Sequence, residues 1–179
     1  QSIAFTARYL GSEAVFLTAT MPDFKKLLEK YALPGSSILD LVQDTKCFSS
    51  FEKCRYEFIG DISDEELLLK ASESPTSLII VNSKKKAREL YRKCGGKKYH
   101  LSTYVTSRDR KQLIDKIKGE LRTIEEEFPS MEGVPEEKRL TVISTSLIEA
   151  GVDLDVCTVF RELTGLDSIL QSGGRCNRE

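Results

Sequence analysis

At 179 residues, the chain can form one ordinary domain with a sizeable hydrophobic core and a short neighbouring appendage. Hydrophobic residues at 40% and charged residues at 31% lie near globular averages and exclude disordered, collagen-like and coiled-coil readings. The formal net charge of -1 excludes a generally basic nucleic-acid coat, so any strand binding must use a local groove.

The first apolar run, Val15-Phe16-Leu17, stops at Thr18-Ala19-Thr20 and Met21-Pro22, as a buried strand ending in a turn would. Asp23 then caps a helix through Tyr31, with Phe24, Leu27, Leu28 and Tyr31 on one face. Ser37 to Val42 and Cys54 to Ile59 read as strands, the second from the alternation of Cys54, Tyr56 and Phe58. Ser63-Asp64-Glu65-Glu66 has the capping-box pattern, which predicts a helix through Glu73 that ends at Ser74-Pro75.

Ser77 to Asn82 is a continuous apolar run of the kind that forms a parallel strand covered on both faces. Ser83 caps a basic helix running to Lys93, and Tyr99 to Ser102 forms a short strand. Thr106 to Phe128 predicts a long helix with Leu113, Ile117, Leu121 and Ile124 on one stripe. The acidic stretch from Glu125 to Lys138, with Pro129, Gly133 and Pro135, reads as a surface insertion. Leu140 to Thr145 and Val156 to Phe160 complete the strands, and Asp167 to Gln171 opens a last short helix. Strands alternating with helices imply a parallel sheet with helices on both faces.

The five cysteines, at 47, 54, 94, 157 and 176, have no zinc-type spacing and read as reduced thiols of a cytoplasmic protein. His100 is the only histidine, which removes histidine-based metal clusters and leaves it a structural role. With neither a run of about 18 apolar residues nor a signal peptide, the expectation is no membrane partner. The first residue is not Met and the last are Arg178-Glu179, so both ends read as cut points of a longer chain.

Two segments carry chemistry. In Gln171-Ser172-Gly173-Gly174-Arg175-Cys176-Asn177-Arg178, arginines three apart at a helix start would face one cleft, behind glycines that admit a polyanion. Guanidinium forks suit a transferring phosphoryl group, and such a finger is worth about 10³ to 10⁵ in rate. The bland alternative is a glycine loop with solvated arginines. In Val142 to Asp155, an apolar strand delivers Ser144 and Thr145 at its carboxyl end before a Gly151-Val152-Asp153 turn. Thr145 suits a phosphate oxygen and Asp153 a sugar hydroxyl; a helix cap and a turn former are the alternatives.

The order and spacing of these segments resemble motifs V and VI of superfamily 2 helicases, the second matched by Gln171, Gly174, Arg175 and Arg178. Phe16 to Pro22 is similar to motif III, and Leu78 to Tyr91, with Asn82-Ser83-Lys84 after the strand, to motif IV. Within that superfamily the three segments Leu17 to Pro22, Ser144 to Asp155 and Gly173 to Glu179 most resemble the CRISPR-associated helicase-nuclease of type I systems.

That resemblance implies an α/β fold, a RecA-like three-layer sandwich with a mostly parallel central sheet. Residues 1–22 would end the first RecA-like domain, and 23–179 would form the second, truncated at its C-terminal end. It implies ATP-driven movement along single-stranded DNA in CRISPR interference. The expected partners are the first RecA-like domain and HD nuclease domain of the parent chain and a CRISPR surveillance complex.

By the same resemblance Arg175 and Arg178 would contact the γ-phosphate, Gln171 would sense it, and Asp153, Gly151 and Gly174 would line the nucleotide site. Thr145, Ser83 and Ser102 would touch the DNA backbone. The family's His-Ser-Arg-Phe is replaced here by Ser102-Thr103-Tyr104-Val105, which departs from the pattern at that contact. No phosphate loop and no Asp-Glu magnesium box occur in the sequence. ATP and Mg²⁺ would therefore be held mainly by the preceding domain, with no metal site here, and the fragment alone is expected to be inactive. A superfamily 2 motor acting on RNA or duplex DNA, and a non-catalytic RecA-like binding module, are the alternatives. A dinucleotide enzyme would need a Gly-x-Gly-x-x-Gly turn that the sequence lacks.

Overall fold

The computed structural model describes residues 9–10, 54–149 and 152–176. The chain divides into two units, 1–51 and 52–179, and the second carries the sheet. The expected elements between Val15 and Val42, the motif III resemblance and the 22/23 boundary lie outside the described residues.

Among the described residues of the second unit, four α-helices and four strands follow one another. They are α1 (Asp64–Glu73), β1 (Thr76–Val81), α2 (Lys84–Lys93), β2 (Lys97–Leu101), α3 (Ser107–Glu127), β3 (Leu140–Thr145), β4 (Thr158–Arg161) and α4 (Leu166–Gly173). Short 3₁₀ turns at Glu136–Lys138 and Ser146–Glu149 flank β3. The strands lie in the order β2-β3-β1-β4, and every pairing is parallel, with Leu78 opposite Val142 and Val159.

Both central strands are buried along their whole length, as their largely apolar sequences, broken only by Ser and Thr, require when helices cover both faces. Alternate residues then divide between two cores. Leu78 and Ile80 join Val142, Ile117, Leu121 and Ile124 beneath α3, whereas Ile79 and Val81 join Ile143, Ala71, Ala87 and Leu90 beneath α1 and α2. Chain direction across the sheet reverses after β2, so right-handed crossovers send α2 and α3 to opposite faces. The sheet's internal hydroxyls are paired within it: Ser77 donates to Thr141 at 3.0 Å and Ser144 to the Leu101 carbonyl at 2.8 Å.

The starts of α1 and α2 follow the predicted caps, and α3 has a cap of the same kind at Thr106. The hydroxyls of Ser63, Ser83 and Thr106 accept from the amides of Glu66, Lys86 and Asp109, each satisfying one of the donors a helix start leaves open. Asp64 pairs with Lys86 and, at 3.1 Å, with Lys93, which ties α1 to α2. The hydrogen bond from Lys86 holds its carboxyl below the usual range. Within the stretch expected as a surface insertion, Val134 is buried against α3, and just after it Arg139 donates to the Ser72 carbonyl at 2.8 Å.

The strand expected over 54–59 does not form. Residues 54–60 form no regular element and have no ladder partner, and the alternating aromatics are both exposed, Phe58 by 80%. What holds the segment is a close approach, not a ladder. A Cβ at Gly173 would lie 2.0 Å from the Tyr56 hydroxyl, so any larger residue there would displace the tyrosine side chain. Burial of that hydroxyl, reinforced by the Cys54 thiol, pushes Tyr56 up to about 12.

Candidate functional site at the carboxyl ends of the strands

In an open parallel sheet the loops leaving the carboxyl ends of the strands meet along one rim, and ligands bind there. The segment after β3 is steered by its own alternation. Val152, Leu154 and Val156 are buried, which turns Asp153 outward with its side chain 63% exposed. Val156 forms a parallel bridge with Cys176, and its amide donates to the Arg175 carbonyl at 3.1 Å. That backbone contact sets Arg175 beside Asp153, with Nη1 to Oδ1 at 3.4 Å. The guanidinium is 15% exposed, so the ion pair is half screened from water and long enough to be weak.

The arginine does not stand at a helix start, as expected, but just after a helix end. α4 finishes at Gly173, Gly174 caps it, and Arg175 and Cys176 close a tight turn by donating to the carbonyls of Ser172 and Gly173 at 3.0 Å. The physical reason is the bridge to Val156, which demands extended backbone at 176 and cannot coexist with a continuing helix. Of the paired glycines, Gly173 is filled by Tyr56. Gly174, at φ -65° and exposed, has room for a side chain, so its backbone is open to approach. Gln171 is exposed on α4, one turn ahead of Arg175. Arg178 and Gly151 lie outside the described residues.

A second group collects at the ends of β1 and β2. Ser83 is exposed as the cap of α2, and Lys84 Nζ lies 5.4 Å from the centre of the Tyr104 ring, which is 62% exposed. A cation over an aromatic face at this range is attractive, and it joins the turn before α2 to the loop after β2. Ser102 is buried, 0% exposed, and its hydroxyl accepts from the Tyr104 amide at 3.3 Å, which shapes the loop after β2. Thr145 sits at the end of β3 with 7% exposed.

A third group was not legible in the sequence. Arg161, the last residue of β4, donates through Nη1 to Asn82 Oδ1 at 2.7 Å and through Nη2 to Ser168 Oγ at 3.1 Å. Glu162 Oε2 accepts from the Asn82 amide at 2.6 Å. Paired charges at a strand end were the only signal available, and their partners lie about eighty residues away.

Among the described residues no group of three or more His, Cys, Asp or Glu side chains is arranged to hold a metal ion. No described helix is long and apolar enough to cross a membrane.

The family described as CRISPR-associated nuclease/helicase Cas3, C-terminal, matches residues 73–179. The chain belongs to that family. Its resemblance to the CRISPR-associated helicase-nucleases, read from the motif residues, is thereby established. The Cas3 of Methanothermobacter thermautotrophicus is 27% identical over 175 residues, covering 90% of this chain and 20% of that protein. The Cas3 of Haloferax volcanii is 65% identical over 37 residues, 21% of this chain and 4% of that one. Crystal structures of T. fusca Cas3 and T. fusca Cas3-ADP each superpose with a TM-score of 0.50 at 20% identity, covering 69% and 68% of this chain and 15% of theirs. At that identity the likeness shows the shared α/β fold. The chain spans about a fifth of the M. thermautotrophicus protein.

Proposed function

We propose that the domain is the second motor half of an ATP-driven translocase that moves along single-stranded DNA in CRISPR interference. The observation that carries this reading is the pairing of Arg175 with Asp153 at 3.4 Å on the ligand-binding rim of a parallel sheet. Two segments separated by 22 residues meet there with the two side-chain chemistries that a nucleotide requires, a forked cation for phosphate and a carboxylate for sugar hydroxyls.

The donor set fits ATP on this edge. Arg175 is held in place by the Val156–Cys176 bridge and offers a fixed charge with little left to reorganise, the condition for stabilising charge as it develops. A phosphate oxygen would replace the long contact to Asp153, and that carboxylate would accept from the ribose. Gln171 and Arg178 would complete this edge, with Gly174 and Gly151 allowing close approach. Magnesium would come with the nucleotide and would be held by the preceding domain.

Single-stranded DNA would cross the other end of the rim, over Ser83 and Lys84, with Thr145 beneath. Tyr104 supplies an exposed ring there, and every base has a face that can stack on one. The parent chain would supply the first RecA-like domain and the HD nuclease, and a CRISPR surveillance complex would deliver the strand. The compartment in this reading is the cytoplasm.

The test is ATP hydrolysis by the parent protein with and without single-stranded DNA, in the unmodified form and as Arg175→Ala/Arg178→Ala. The proposal expects strong DNA stimulation that the double variant loses. Equal rates in both would remove the arginine assignment and favour a RecA-like scaffold, and stimulation by RNA alone would move the domain to an RNA motor.

A further inference from the structure

We propose that Arg161 is a positioning residue that locks the turn ahead of α2 to α4 and so couples the DNA-facing edge of the domain to its nucleotide-facing edge. The inference rests on the functional reading above and adds the part that joins its two sites.

The guanidinium stands between the two edges and holds each with a different nitrogen. Nη1 donates to Asn82 Oδ1 at 2.7 Å and to the carbonyls of Ile80 at 3.4 Å and Glu162 at 3.2 Å. Nη2 donates to Ser168 Oγ at 3.1 Å. Asn82 is fixed from three directions, because its side-chain amide also donates to the Leu163 carbonyl at 3.0 Å and its backbone amide to Glu162 Oε2 at 2.6 Å. The residue after Asn82 is Ser83, the cap of α2. Three residues beyond Ser168 on α4 is Gln171, and the Ser168 carbonyl accepts from the buried Ser172 hydroxyl at 2.7 Å.

Register alone does not need this cluster. β4 is already bonded to β1 from Ser77↔Thr158 to Ile80↔Arg161, and charged groups at an exposed rim add little stability. What the cluster adds is orientation. A planar fork with donors at fixed angles holds two partners in one relative geometry, which a single ammonium on a flexible stem does not. A shift of α4 when Arg175 meets a phosphate would be carried through Ser168 and Arg161 to Asn82 and the start of α2. Coupling of this kind is carried by hydrogen-bond networks and rigid elements that have two discrete arrangements.

The experiment uses the full parent protein. ATP turnover is titrated with a single-stranded oligothymidylate for the unmodified protein, Arg161→Gln, Arg161→Lys, Asn82→Ala and the Arg161→Gln/Asn82→Ala pair. Arg161→Gln and Asn82→Ala are expected to lower the DNA-stimulated kcat by roughly five- to thirty-fold. The DNA-free rate, the KM for ATP and the nucleotide-free affinity for the oligonucleotide should stay at their unmodified values. Lysine should not rescue, and the pair should be no worse than either single variant, because both break one link.

Full stimulation in folded Arg161→Gln would overturn the coupling while leaving the functional reading intact. A parallel fall of every rate with the melting temperature, or failure of both single variants to fold, would make the cluster a structural staple and overturn it as well. Absence of stimulation in the unmodified parent would remove both the functional reading and the coupling.

Discussion

The interior of the sheet and its carboxyl-end rim are built from the same strands by opposite means. Along β1, Leu78, Ile79 and Ile80 are at most 1% exposed and are held by apolar contact on both faces. Two residues further on, Asn82 is held entirely by named polar partners. Apolar burial is non-directional, about 1.5 to 3 kcal/mol for each fully buried large side chain, and fixes that the sheet exists. Hydrogen bonds to charged groups are directional and fix where Asn82, the residue before Ser83, stands. The two kinds of hold meet within a few ångströms along one strand.

Substitutions can sharpen or break that division. Leu78→Ala should have the largest effect on stability, about 2 to 5 kcal/mol by urea unfolding; a cost below about 1 kcal/mol would mean that α3 collapses into the gap. Thr106→Ala, which removes the cap of α3 from the outside of the core, should cost about 1 kcal/mol in the same measurement. Ser83→Ala should cost a similar amount, about 1 kcal/mol, but should in addition weaken single-strand binding by the parent in a titration. Loss of stability alone would assign Ser83 to the interior's economy and not to the rim's function.

His100 should give the smallest effect, seen only through pH. It lies against Tyr91 with its Nε2 lacking a hydrogen-bond partner, and burial lowers its pKa below the ordinary value. The native chain therefore holds neutral imidazole where the unfolded chain, titrating near about 6.5, binds a proton. This contribution is complete above that value and is lost as pH falls from it toward the native pKa. His100→Phe should flatten the unfolding profile across that window; an unchanged slope would place the acid sensitivity elsewhere.

The same division decides what the sequence revealed. The interior was legible because burial on two faces leaves a nearly continuous apolar run, unbroken at Leu78 to Val81 and interrupted only by Thr141 at Leu140 to Ile143, and because helix caps are local patterns. The alternation at Cys54, Tyr56 and Phe58 misled because period two reports a half-buried strand only when a ladder partner exists. Here the residue that matters is Gly173, over a hundred positions away. The rim was partly legible: Asp153 and Arg175 stood out by chemical type, and resemblance supplied their partnership. The helix-start reading of Arg175 failed because a bridge to Val156 is invisible in local pattern. Arg161 was passed over for the same reason, since a single charge at a strand end acquires meaning only from Asn82 and Ser168.

The most direct test of this account measures turnover and unfolding on one sample of the parent protein carrying Arg175→Ala. The account predicts that DNA-stimulated ATP hydrolysis falls by about 10³-fold or more, while the unfolding free energy stays within about 0.5 kcal/mol of the unmodified protein. Turnover retained, or turnover lost in step with stability, would contradict the separation of a functional rim from a structural interior.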